Sequence, residues 1–270
     1  MSKKLPLINL ATRLYQKIYG PMPLIEFQDY DQYWDFRSEN RPPADVLHRY
    51  VTITDRIKNG ESVIDIGCGD GAFLQYFHDR NPQSRVYGVD LSQKAIDLVK
   101  QRGFEGAVTS DARPLQEQIG ATFDNVVMME VIEHVHDAED LLRQALALEP
   151  KRIFITIPNV GFILHRLRLL FGGRFPITVI IYHVKEHIRF WTVKDFVQWA
   201  KAMQCEVVDY VGQEQTSNPM HLWLMRIWPS LFAGQLVYEL KPIEAPRQTA
   251  VPNECDGIHE ESRIRMNDRT

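Results

Sequence analysis

The 270-residue chain is poor in cysteine: it has three, Cys68, Cys205 and Cys255, set far apart and odd in number. Such spacing builds neither a metal knot nor a disulfide framework, which excludes the small stapled folds of secreted proteins. There is no uninterrupted run of about 18 apolar residues and no secretory h-region, so a cytoplasmic protein is expected. A basic excess is missing as well. Lys and Arg number 31 against 35 Asp and Glu, a net charge of −4, which argues against general nucleic-acid binding. No internal repeat is present. One absence is local: from Pro150 through Lys185 there is no acidic residue, while Lys151, Arg152, Arg166, Arg168, Arg174 and Lys185 are basic. With 44% apolar and 24% charged residues, the remainder fits one globular domain with appended segments.

What is present centres on Val63-Ile64-Asp65-Ile66-Gly67-Cys68-Gly69-Asp70-Gly71. The apolar run reads as a buried parallel strand, and the glycines let the chain turn tightly into the helical pattern Ala72, Phe73, Leu74, Tyr76, Phe77. The first N–H groups of such a helix lack internal partners and point into the loop. Gly67-x-Gly69-x-x-Ala72 also satisfies the dinucleotide fingerprint, with Asp90 at the distance of a ribose partner. Asp65 separates the two ligands. At the strand tip it would repel a pyrophosphate in a low-dielectric cleft, whereas it attracts the ammonium and sulfonium of S-adenosyl-L-methionine (SAM).

Further strands are predicted over Ser84–Val89, Phe104–Thr109, Phe123–Met129, Arg152–Ile157, Cys205–Val211 and Gln235–Leu240, with a helix from Pro43 to Ile57. Asp90, followed by Leu91, stands at a strand's C-terminal tip, where it can accept from two ribose hydroxyls; the competing role is capping the next helix. After the fourth strand come Glu130, Glu133 and His134 at i, i+3 and i+4, which on a helical turn share one face. His134 is a candidate general base for a hydroxyl acceptor, the alternative being a loop-orienting histidine. Thr192 and Asp195 form a capping box.

The segment 160–190 reads as a basic amphipathic insert whose apolar face is Ile163, Leu164, Leu167, Leu170 and Phe171. Its Arg166, Arg168 and Arg174 are expected to face an anionic headgroup or phosphate, or simply solvent. Residues 3–19 place Leu7, Leu10, Ala11, Leu14 and Ile18 on one helical face, a docking helix or a peripheral membrane contact. Boundaries are drawn at 1–41 (helix and cofactor lid), 42–241 (core domain) and 242–270 (disordered tail).

Asp65, Gly67, Gly69 and Gly71 fill the first motif of the class I SAM-dependent methyltransferases, which this sequence resembles from about residue 30 to 241. The resemblance implies a Rossmann-like, seven-stranded, mostly parallel α/β sheet with helices on both faces, its seventh strand antiparallel at the sheet edge. It implies that Tyr30, Trp34 and Arg37 cover SAM, with Arg37 on its carboxylate, and that Asp111 and the Ala112 N–H hold the adenine. Ile157-Pro158-Asn159-Val160-Gly161 and Leu170-Phe171-Gly172-Gly173 resemble the MetW-like branch, while the Glu130–His134 stretch resembles UbiG-type and small-RNA 2′-O-methyltransferases. In the latter a later histidine returns to the site, which matches His187. Glu130, Glu133, His134 and His187 would then also suit Mn²⁺ or Mg²⁺. The implied activity is O-methylation of a small-molecule, sugar or lipid-linked acceptor. A MetW-like regulatory partner of a biosynthetic enzyme and an N-methyltransferase are the alternatives.

Overall fold

The computed structural model describes residues 47–110, 113–175, 187–213 and 218–243. The N-terminal helix and lid, with Tyr30, Trp34 and Arg37, lie outside the described residues, as do Asp111, Ala112, residues 176–186 and the tail from 244.

The elements run α1 (His48–Thr54), β1 (Val63–Ile66), α2 (Ala72–Arg80), β2 (Val86–Asp90), α3 (Gln93–Gln101), β3 (Glu105–Val108), α4 (Leu115–Ile119) and β4 (Asn125–Met129). They continue with α5 (Ala138–Leu146), β5 (Arg152–Pro158), α6 (Ile163–Gly172), α7 (Val193–Ala202), β6 (Cys205–Gly212), α8 (Pro219–Ile227), α9 (Pro229–Phe232) and β7 (Gln235–Pro242). One seven-stranded sheet has the order β3-β2-β1-β4-β5-β7-β6. The first five strands are parallel, and β7 is antiparallel to both neighbours.

The seventh strand does not lie at the sheet edge. β7 sits between β5 and β6, so β6 forms the edge. Burial explains the difference: Leu236, Val237, Tyr238 and Leu240 of β7 are enclosed, whereas the middle of β6 alternates towards solvent.

Apolar continuity fixes the centre of the sheet. All four residues of β1 are buried, and the two faces carry separate cores. One face packs α1, α2 and α3 through Ile53, Phe77 and Val99. The other packs α5 and α7 through Leu142 and Phe196. Each such fully buried side chain contributes about 1.5–3 kcal/mol. Because β6 is parallel to β5, the C-terminal ends of β1, β2, β4, β5 and β6 share one edge. Open α/β sheets bind ligands at that edge.

Candidate active site

The glycine loop leaves β1 through three left-handed residues, Gly67, Gly69 and Gly71, at φ +74°, +55° and +72°. Two of them are also sterically fixed. A Cβ on Gly67 would lie 2.5 Å from Val131 Cγ2, and one on Gly71 would lie 3.0 Å from Val99 Cγ2. The Gly67 and Cys68 N–H groups both donate to the Val89 carbonyl, at 2.7 and 3.0 Å, which clamps the loop against β2. Burial pushes the Cys68 thiol up, so this cysteine is an inert packing group.

Asp65 is 1% exposed, and among the described residues neither of its carboxylate oxygens has a hydrogen-bond partner. Burial first, and repulsion from Asp90 second, raise its pKa well above the usual carboxylate range. A buried carboxyl without partners is a standing cost to the fold unless a cationic group joins it. That orphaned acid is what a SAM ammonium would satisfy and a pyrophosphate would not.

Asp90 bridges the loop and the next helix. Its Oδ2 accepts from Gly69 N and its Oδ1 from Ser92 N, each at 2.9 Å. The helix cap itself is Ser92, whose hydroxyl oxygen accepts from Ala95 N. A carboxylate at a strand's C-terminal tip stands where open α/β sheets bind ligands, and its oxygens are acceptors of the kind a ribose diol needs. Leu91 beside it is 47% exposed and offers an apolar surface at the same edge.

After β4 the chain departs from the helical turn suggested by spacing. Glu130 adopts φ +57°, and the His134 N–H closes a turn onto the Val131 carbonyl at 3.0 Å. Glu130 is held by β5: its N–H donates to Thr156 Oγ1 at 3.1 Å, and that hydroxyl donates back to Glu130 Oε1 at 2.8 Å. The potential ligand cluster therefore consists of Glu133, His134 and His187, whose donor atoms lie within 4.8 Å of one another, with Glu130 outside it.

Backbone hydrogen bonds bring the distant histidine in. Ile188 N and Arg189 N both donate to the Glu133 carbonyl, at 2.9 and 3.2 Å. Arg189 also grips Glu139 and the His136 carbonyl. The His134 and His187 rings meet edge-on at 4.6 Å between centroids, and His134 Nε2 is 3.9 Å from Glu133 Oε1. Burial and then His134 lower the His187 pKa to about 3, so its imidazole is neutral. Glu133 is 1% exposed, and burial, then repulsion from Glu130, raise its pKa.

Sequence reasoning missed Arg49. It lies on α1, its Nε is buried without a hydrogen-bond partner, and its charge lowers the pKa of both Asp65 and Glu133. The one signal was a cation on the helix feeding the glycine strand, which many structural helices share.

The insert is partly inverted. Arg168, expected to face an anion, is 1% exposed and donates from Nε to the Phe175 carbonyl at 3.0 Å. Arg166 is exposed, and its Nε donates to the Gly161 carbonyl at 2.6 Å. Leu170 and Phe171, on the apolar face of the insert, are 74% and 62% exposed.

Fold and site together define a class I SAM-dependent methyltransferase. Within that class the chain belongs to the MetW family, described as "Methionine biosynthesis protein MetW", which matches residues 48–240. A ubiquinone biosynthesis O-methyltransferase from Dechloromonas aromatica is 25% identical over 198 residues, 70% of this chain and 83% of that protein. Two solved structures share the fold. The plantazolicin methyltransferase BamL, in complex with a desmethyl analogue and SAH, has a TM-score of 0.54 at 14% identity, covering 85% of this chain and 94% of that one. A possible histamine N-methyltransferase from Thermotoga maritima has a TM-score of 0.51 at 14% identity, covering 85% and 98%.

Proposed function

We propose that the protein methylates an oxygen atom of a small-molecule, sugar or lipid-linked acceptor seated between the 130–134 turn and α6. The observation that carries this reading is the Glu133–His134–His187 cluster beside the β4 tip, assembled from two separated segments with Glu133 and His187 buried. SAM, when bound, supplies the electrophilic methyl group, and the chain supplies placement and proton management.

Asp65 and Arg49 meet the ammonium and carboxylate of the methionine part, and Asp90 accepts from the ribose hydroxyls. Asp111 and the Ala112 N–H are assigned to the adenine, and Tyr30 and Arg37 to the lid. His134 takes the acceptor proton, and Glu133 Oε1 lies 3.9 Å from its Nε2. His187, held neutral by burial, positions the His134 ring. Glu130 shapes the turn through Thr156.

The convergence of three donor groups supports a second role. Glu133, His134 and His187 offer one carboxylate and two imidazoles, a set better suited to Mn²⁺ than to Mg²⁺. An ion there would lower the pKa of an acceptor hydroxyl.

Transfer of labelled methyl from SAM to a panel of phenols, catechols and hydroxylated lipids tests the reading. His134→Gln should lower kcat by about 10²–10⁴-fold with SAH affinity retained. Methylation confined to amines would overturn it. Activity that survives EDTA but not His134→Gln assigns the base role; activity restored by Mn²⁺ assigns the metal role.

A further inference from the structure

α8 carries apolar residues around its whole circumference. Met225 is buried against the sheet, yet Met220, Trp223 and Ile227 stand 67%, 58% and 62% exposed on the opposite face, and Trp228 beyond them is 57% exposed. A helix apolar all round ordinarily has both faces covered. On α6, Leu169, Leu170 and Phe171 are likewise exposed.

The two helices begin side by side. Phe162, at the start of α6, stacks on His221 of α8 at 6.5 Å, and Asn159 Nδ2 donates to the Ser230 and Ala233 carbonyls at 3.0 and 2.9 Å. Each follows the C-terminal end of a parallel strand, β5 or β6, so both flank the edge that holds the glycine loop and the 130–134 turn.

Charge selects what covers them. In a chain of net charge −4, the described stretches 160–175 and 218–234 contain no acidic residue, and Arg166, Arg174 and Arg226 are exposed there. Exposed tryptophans beside arginines, over an aliphatic patch, match the interfacial layer of an anionic bilayer. No helix among the described residues is long and apolar enough to cross a membrane.

We infer that α6 and α8 form a docking face that lays the catalytic edge against an anionic lipid surface. Resting on the methyl-transfer reading, this face gives the site access to an acceptor anchored in the bilayer. Docking itself stands or falls separately from that reading.

The test is flotation of the full chain with phosphatidylcholine vesicles, with and without phosphatidylglycerol, SAH binding being measured on the same samples. Flotation should require phosphatidylglycerol. Trp223→Ser with Ile227→Ser should weaken it by roughly tenfold or more, and Arg226→Glu by about fivefold, with SAH affinity unchanged. If the double variant does not fold, quenching of the wild-type tryptophans by brominated lipid replaces it. Absence of flotation, equal flotation of the variants, or no quenching overturns the inference. So does light scattering that shows a dimer dissociated by the same substitutions, which would make a second copy of the chain the occupant.

Discussion

The imidazole rings of His134 and His187 meet edge to face with centroids 4.6 Å apart, and two backbone hydrogen bonds tie together the segments that carry them. The Ile188 and Arg189 N–H groups share the Glu133 carbonyl, so the 130–134 turn and the 187–190 segment are joined directly through the backbone. A cluster built this way keeps its geometry when one side chain is replaced, which makes single substitutions interpretable.

Asp65→Asn should separate stability from function. Asp65 has a raised pKa in the folded state, so its favourable contribution is present below the unfolded value of 3.8 and is lost as pH rises towards the folded pKa. Near neutrality the amide should therefore raise the ligand-free melting temperature by a few degrees, with the gain fading at acid pH. SAH affinity should fall at least about tenfold, the loss of one charge-assisted bond. Thermal melts with and without SAH check both signs.

Gly67→Ala combines a φ of +74° with a Cβ 2.5 Å from Val131 Cγ2. It should destabilise the protein by about 1–3 kcal/mol and weaken SAH binding. Val131→Ala added to it should restore part of the stability but not all, because the backbone strain remains. Denaturant titrations of the four proteins of this cycle measure the coupling.

Thr156→Val removes the hydroxyl that both accepts from Glu130 N and donates to Glu130 Oε1. A loss of about 1–2 kcal/mol is expected, with kcat reduced and SAH affinity retained. An unchanged kcat would show that the left-handed Glu130 is irrelevant to the acceptor side.

Asp124 supplies a pH prediction away from the site. Its Oδ1 lies 2.7 Å from Lys151 Nζ, and its Oδ2 accepts from Ser62 N and Oγ at 2.8 Å. Lys151 and then Ser62 outweigh partial burial and hold its pKa at about 2, against 3.8 unfolded. The stabilisation is present above the unfolded value and lost as pH falls between these two. Asp124→Asn should cost about 1–2 kcal/mol at pH 7 and flatten that acid limb in a pH series of melts.

Much of this was legible in the sequence because it depends on local pattern. The β1–glycine loop–α2 unit and the Thr192 box follow from apolar runs, left-handed glycines and side-chain caps, all set within a few residues. The place of Asp90 at the end of β2 was legible from the apolar run that precedes it. The insertion of β7 between β5 and β6 was not, since pairing order is decided by which strand is enclosed on both faces. The helical reading of 130–134 failed because Thr156, on another strand, pulls Glu130 into a left-handed conformation. Arg168 was misplaced because a long arginine can be buried when a carbonyl such as that of Phe175 receives it.

The most direct test of the account is calorimetric titration of the full chain with SAM, SAH and NADH, with Asp90→Ala alongside. SAM and SAH should bind at one site, NADH should not, and Asp90→Ala should weaken SAH by more than about tenfold while the protein still melts cooperatively. Binding of NADH without SAM, or SAH affinity untouched by Asp90→Ala, would contradict it.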